Sequence, residues 1–161
     1  MRTSLPFDGP SRPLRLSLVA HERPFPTIKH VGEASKTHYL RKAVKSGFDD
    51  AAFIDTRGRI SEATIWNLAF WDGEAVLWPE AELLPGVTMG IIHRQLKALG
   101  IIQRQEPISP SRVKNMKGAA VMNSWTPGVP VIALGSASLP ISSTFQKILH
   151  HAYEREPLVD I

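Results

Sequence analysis

The chain of 161 residues contains no cysteine. This absence excludes disulfide bonds and thiolate chemistry, and it is typical of proteins in a reducing compartment. No apolar run reaches the about 18 residues that a membrane-spanning helix needs, and the opening MRTSLPFDGPSRP lacks an apolar signal core. We therefore expect a soluble, cytoplasmic protein with no membrane partner.

Clustered charge is also missing. The sequence has 19 Lys and Arg against 15 Asp and Glu, a net charge of +4, but the basic residues are scattered and are not interleaved with aromatic residues. A nucleic-acid partner is therefore not indicated. His150 and His151 are adjacent, so they face different sides of a helix. We expect no metal site.

Short strand patterns alternate with helical patterns, which predicts an α/β (α+β) fold. The strand patterns are LRLSLVA from Leu14, AAFID, NLAFW, EAVLW, AAVMN and VPVIALG. Asp72 and Gly73 stand between NLAFW and EAVLW, a strong hairpin signal. No linker interrupts the pattern, so we predict a single domain over residues 14–161, preceded by a proline-rich arm or linker over residues 1–13.

Four helical patterns carry boundary signals. HYLRKAVKSG is expected to end at Gly47, and TMGIIHRQLKALG is expected to end at Gly100. SPSRVKNMKG offers Ser109 as an N-cap. SSTFQKILHHAYERE has Ser143 and Gln146 at capping-box spacing.

Four segments together resemble the class IV aminotransferase family in order and spacing. They are IKH at 28–30, ISEATIWNLAFW from Ile60, LLPGVT at 83–88 and VMNSWTPGVPV at 121–131. The family includes branched-chain aminotransferases, D-amino acid transaminases and 4-amino-4-deoxychorismate lyases. The resemblance covers roughly residues 12–135 and implies the C-terminal domain of the D-amino acid aminotransferase-like pyridoxal phosphate fold (fold type IV), with the family's N-terminal domain absent.

The resemblance makes Lys29 the lysine that forms a Schiff base with pyridoxal 5'-phosphate. Lys29 follows an apolar step where the pattern points inward, and burial would favour the neutral, nucleophilic amine. Lys36 is the rival, because it precedes a Tyr-Leu pair. Its distance to Glu62 is too short for the family's spacing, and we interpret it as a solvated helix residue.

The resemblance also assigns the cofactor ring to two polar residues. Glu62 takes the place of the acid that keeps the ring nitrogen protonated, and Asn67 follows it as in the family. The family's glycine-rich run after the acid is replaced by the bulkier residues 63–66, which predicts a smaller or closed substrate space.

A phosphate group is expected at the start of the helix after LLPG, because helix N-termini favour anions. The amides of Val87 and Thr88 open this helix, and Leu84 matches the aliphatic residue that packs on the ring. In the NSWT segment, Ser124 could donate its hydroxyl to the phosphate and Trp125 its amide.

The sequence thus predicts a pyridoxal-phosphate-dependent aminotransferase or an aminodeoxychorismate-lyase-like enzyme. Its substrate would be a small amino acid or an amino-chorismate-like molecule. The alternative is a truncated, catalytically impaired member that acts as a binding or assembly protein, with weak or absent cofactor binding in this chain alone. Because a domain that lacks its neighbour exposes apolar surface, we expect a homodimer, with residues 1–13 covering part of that surface.

Overall fold

The computed structural model describes residue 10, residues 12–32 and residues 34–157. In this part of the chain, nine strands alternate with four helices. The strands are β1 Leu14–Ala20, β2 Asp50–Ile54, β3 Ile60–Ala63, β4 Asn67–Trp71, β5 Val76–Pro79, β6 Gln103–Glu106, β7 Gly118–Asn123, β8 Thr126–Leu134 and β9 Ala137–Ser138. The helices are α1 Ala34–Lys45, α2 Val87–Ala98, α3 Pro110–Val113 and α4 Ser143–Glu154. The predicted arm lies almost wholly outside the described residues.

The strands form one sheet in the order β3-β2-β1-β8-β7-β4-β5-β6, with β9 added beside β8. Because β3 also pairs with β4, six of these strands close into a ring. β1 pairs in parallel with both β2 and β8, and β5 pairs in parallel with β6. The other strand pairs are antiparallel. The mixed α/β fold class predicted from the sequence is confirmed.

Three apolar clusters pack against this sheet, and the smallest joins Phe53 on β2 to Ala43 on α1. Leu16, Ile60, Leu68 and other buried side chains fill one core. The second lies under α2 and α4 and includes Trp78 and Phe145. Full burial of an aliphatic or Phe side chain contributes about 1.5–3 kcal/mol to stability, so these clusters stabilise the sheet that carries the site. None of the helices in the described ranges combines the length and apolar character required to cross a bilayer.

Most local sequence signals predict the observed boundaries. β1 has the predicted bounds, and Gly47 and Gly100 adopt positive φ just after α1 and α2. The Asp72–Gly73 turn joins the antiparallel strands β4 and β5. Ser109 caps α3 as predicted.

One local prediction needs correction. The N-cap of α4 is Ser142, whose hydroxyl accepts a hydrogen bond from the Phe145 amide, so the prediction of Ser143 as the cap is wrong by one residue. Two serines stand side by side, and the capping-box spacing selected the second one. The segment ISEATIWNLAFW holds the two strands β3 and β4, and the chain reverses between Ala63 and Asn67.

A buried carboxylate fixes this reversal to the neighbouring strand. Asp50, on β2, accepts hydrogen bonds from Thr64 Oγ1 at 2.6 Å and Trp66 Nε1 at 2.9 Å, and from the Ala51 amide at 2.6 Å. Burial raises the pKa of the Asp50 carboxyl above its usual range, although these three hydrogen bonds act in the opposite direction.

We expect wild-type stability to fall, relative to that of the Asp50→Asn variant, as the pH rises. Because the folded-state pKa is raised above the unfolded value of about 3.9, the folded chain binds this proton more tightly. The stability that the protonated Asp50 carboxyl contributes is therefore fully present below the unfolded pKa. It is lost as the pH rises through the folded pKa. Urea unfolding of both proteins at a series of pH values, starting below the unfolded pKa, measures the difference in their free energies of unfolding. A difference that stays constant with pH would contradict the expectation.

Candidate functional site

Two adjoining clefts lie beside the reversal between β3 and β4. The first, about 200 Å³, contains Glu62 and is called the acid cleft here. The second, about 220 Å³, lies at the start of α2 and is called the helix cleft. Lys29, Ile65, Asn67 and Leu84 line both. The shared walls make the two clefts parts of one site.

The acid cleft is built on a buried ion pair. Arg23 Nη1 lies 2.8 Å from Glu62 Oε1, with the two side chains 3% and 6% exposed. The Leu84 amide donates to Glu62 Oε2 at 3.3 Å. Burial raises the pKa of Glu62, and Arg23, the Leu84 amide and the charge of Lys36 oppose that rise. The carboxylate is thus enclosed, which excludes the simple view of a strand end in water.

Arg23 is the functional residue that the sequence reasoning missed. It lies in HERPFP, where the prolines predict a loop, and a loop arginine is ordinarily solvated. No spacing rule connects this arginine to Glu62. Only the fold brings the loop across β3.

Asn67 holds the segment that leads into α2. Its Nδ2 donates to the Leu84 carbonyl at 2.8 Å. A Cβ atom at Gly86 would lie 2.2 Å from Asn67 Oδ1, so glycine is required for this close approach. β4 and the LLPG segment are therefore locked together, with Leu84 at the boundary of the two clefts.

The N-terminus of α2 opens into the helix cleft. Its N-cap is Gly86, which supplies no side-chain acceptor to the first amides, including those of Val87 and Thr88. The Thr88 hydroxyl donates to the Asn123 carbonyl at 2.8 Å and ties the helix to the end of β7. The helix dipole and the first amides make this end favourable for an anion.

Ser124 and Trp125 lie in the turn between β7 and β8. Ser124 is exposed and lines the helix cleft. The Trp125 amide donates to Asn123 Oδ1 at 2.9 Å. The amide that the sequence analysis expected to bind a phosphate is thus bonded to Asn123 in the structure. The Trp125 ring packs edge-on against Trp66, with ring centroids 6.3 Å apart.

The two lysines do not lie as expected. Lys29 is exposed, so the expectation that it points inward is wrong: the proline-containing loop lies over the clefts rather than in the sheet. Lys36 is half-buried and lines the acid cleft with Glu62, so its interpretation as a solvated residue is also wrong. Because α1 begins at Ala34, Lys36 is in the first turn of the helix, beside the site.

The structure brings together most residues selected from the sequence. Those that line one or both clefts are Lys29, Glu62, Asn67, Leu84, Val87, Thr88 and Ser124. A lysine amine, a buried carboxylate and the amides of a helix N-terminus are the groups that pyridoxal phosphate needs at its aldehyde, ring nitrogen and phosphate. This donor set fits the cofactor. Within the described ranges, no three His, Cys, Asp or Glu side chains are grouped so that they could hold a metal ion.

Comparison with known proteins places the chain among related sequences and folds. The family model described as Amino-transferase class IV matches residues 5–134. The Synechocystis sp. protein named "Probable branched-chain-amino-acid aminotransferase" is 29% identical over 145 residues, which cover 84% of this chain and 48% of that protein. The chain thus spans about half the length of this curated relative.

Solved structures share the fold. The Legionella pneumophila protein named "Putative 4-amino-4-deoxychorismate lyase" matches with a TM-score of 0.83 and 21% identity, over 90% of this chain and 57% of that chain. The Escherichia coli branched-chain amino acid aminotransferase matches with a TM-score of 0.79 and 19% identity, over 91% and 53% of the two chains. These likenesses confirm the fold type IV prediction. The match over residues 5–134 shows that the chain belongs to the class IV aminotransferase family.

Proposed function

We propose that this chain holds pyridoxal phosphate and acts on the amino group of a small molecule, as an aminotransferase or an aminodeoxychorismate-lyase-like enzyme. The observation that carries the proposal is that Lys29 and Glu62 line one cleft, which adjoins the open N-terminus of α2. When bound, the cofactor supplies an aldehyde carbon that joins an amine and a ring that withdraws electrons from it.

Lys29 would supply the amine that attaches the cofactor to the protein. Its Nζ atom can also take a proton from the substrate carbon and return it, because the side chain borders both clefts. Exposure leaves this amine accessible to an incoming aldehyde. Lys36, on the same wall as Glu62, adds a second positive charge to the acid cleft.

Glu62 would hold the proton on the ring nitrogen. Its two oxygens offer about four acceptor sites. The contacts with Arg23 and the Leu84 amide leave acceptor capacity for a ring N–H. The arginine also fixes the direction of the carboxylate, so no side-chain ordering is needed when a ring enters.

The start of α2 would receive the phosphate. The amides of Val87 and Thr88 and the hydroxyl of Ser124 are the donors there. Leu84 would contact a face of the ring, and the Asn67–Leu84 hydrogen bond would keep that wall in place. The distance between Glu62 and the start of α2 would thus be set by the pairing of β3 with β4 and by the Asn67–Leu84 hydrogen bond.

Assembly as a homodimer is part of the proposal. Phe25, Ile28, Ile65, Val87 and Trp125 are all exposed, and all lie in segments that contribute to the clefts or their edges. A second copy of the chain that covered these side chains would also shield the site from water. The alternative, a member that binds or assembles without catalysis, would use the same surface, and cofactor binding distinguishes the two.

Borohydride reduction in the presence of pyridoxal phosphate is expected to leave a pyridoxyl group on Lys29, detected by peptide mapping. Lys29→Arg should abolish the adduct, because a guanidinium keeps the charge but stays protonated. Lys36→Arg is the matched control in the same cleft and should retain the adduct. A pyridoxyl group on Lys36 in the wild-type chain would overturn the assignment.

Glu62→Gln is expected to destabilise the fold and to weaken cofactor binding, since it removes the negative charge that lies 2.8 Å from the buried Arg23 Nη1. Removal of one partner of a buried pair costs about 3–5 kcal/mol. The double variant Arg23→Met/Glu62→Gln should recover much of that stability. Cofactor affinity should stay low in the double variant if Glu62 holds the ring proton. Urea unfolding measures the stability and titration with the cofactor measures the affinity. If the double variant recovers both, the role of Glu62 is structural only.

Light scattering of the purified chain is expected to give the mass of a homodimer. Phe25→Ser should weaken the dimer, because Phe25 is exposed on the loop that carries Lys29. Ile102→Ser is the control, since Ile102 is also exposed but lines neither cleft. A monomer over a wide concentration range would disprove the assembly proposal.

A further inference from the structure

Ile65 has an unusual position at the tip of the reversal between β3 and β4. Its side chain is 46% exposed, although the residues on either side, Thr64 and Trp66, are buried. It lines both clefts together with Lys29. An apolar, β-branched side chain therefore stands in the middle of a site whose ends are polar.

The backbone around Ile65 is attached on three sides. Asp50 accepts hydrogen bonds from Thr64 Oγ1 at 2.6 Å and from Trp66 Nε1 at 2.9 Å, one on each side of Ile65. The Ala63 amide donates to the Trp66 carbonyl at 2.9 Å and closes the turn. The turn is consequently anchored to β2 and closed on itself.

A third element supports the turn from the far side. Asn123 Nδ2 lies 3.4 Å from the Ile65 carbonyl, and the Trp66 ring packs against Trp125. A β-branched side chain also has few χ1 rotamers available. The Ile65 backbone can therefore move only if the turn itself shifts, and Asp50 opposes that shift.

We propose that Ile65 is a specificity-determining residue and that Asp50 is its positioning residue. Together they favour amino substrates with short, unbranched side chains over those with branched or aromatic ones. The inference rests on the proposed function, because it places the amine-bearing carbon of the substrate near Lys29. A group attached to that carbon then lies in the space that Lys29 and Ile65 both border.

The proposal predicts discrimination by exclusion. A methylene that exceeds the space beside a rigid apolar wall lowers affinity by roughly 10–200-fold. The aliphatic wall offers no hydrogen-bonding group, so polarity of the substrate side chain should matter less than its width. The bulky residues that replace the family's glycine-rich run thus have different roles. Ile65 contacts the ligand, while Thr64 and Trp66 keep Ile65 in place through their hydrogen bonds to Asp50.

The test uses stable probes, the secondary amines formed by reducing mixtures of pyridoxal phosphate with glycine, alanine, leucine or phenylalanine. Calorimetry on the full chain gives the affinity for each probe and, in parallel, for pyridoxal phosphate itself. Wild-type protein should bind the glycine and alanine probes at least about tenfold more tightly than the leucine and phenylalanine probes. Ile65→Ala should remove this difference and leave the glycine probe within about twofold, because only the excluded volume changes.

Control variants distinguish a specific role of Ile65 and Asp50 from a general loss of structure. Ile141→Ala is the control, since Ile141 is 55% exposed and lines neither cleft. It should keep the wild-type pattern. Asp50→Asn should reduce the discrimination while the glycine probe still binds. Trp66→Phe removes the indole N–H that reaches Asp50, together with part of the ring, and should also reduce the discrimination.

Each outcome decides a separate point. Equal affinity of wild-type protein for all four probes, together with binding of pyridoxal phosphate, overturns the role of Ile65 and leaves the proposed function intact. An unchanged preference in Ile65→Ala does the same. A preference lost in Ile65→Ala but retained in both Asp50→Asn and Trp66→Phe overturns the positioning role of Asp50. Absence of binding for pyridoxal phosphate and for every probe overturns both proposals.

Discussion

The buried ion pair between Arg23 and Glu62 is the interaction on which the site depends. It joins the loop that carries Lys29 to a strand of the closed ring, and the same carboxylate reaches the Leu84 amide before α2. Desolvation of two charges offsets much of their attraction, so such a pair adds little to stability compared with an apolar contact. Its contribution here is positional, since three separate segments meet at one carboxylate.

The closure of the ring gives that carboxylate its neighbours. β3 and β4 pair at Glu62 and Asn67, so the acid and the amide are fixed at one level of the sheet. From there Asn67 reaches the LLPG segment, and Gly86 allows the close approach that starts α2 in the correct place. The positions of the site residues thus depend on the pairing of β3 with β4, on the Asn67–Leu84 hydrogen bond and on Gly86.

How much the sequence predicts depends on the range of the interaction. Local signals identify β1, the Asp72–Gly73 turn and the Ser109 cap, because the responsible groups lie within a few residues of one another. The register of the four motifs brings Glu62 to a cleft with Lys29, but it predicts neither the partner Arg23 nor the inward side of Lys36. Those contacts depend on the path of a proline-containing loop and on the rotation of α1, which no residue spacing encodes.

The pairing of β1 with both β2 and β8 has a consequence for how the chain folds. Leu14 lies opposite Val131, so the ring joins residues separated by most of the sequence. Loop-closure entropy makes such long-range parallel pairing slow compared with the local pairing of β3 with β4. During synthesis, all residues that line the acid cleft, up to Leu84, emerge before β7 and β8 are made. The helix end is completed only after β7 and β8 emerge, which makes it the last part of the site to become ordered.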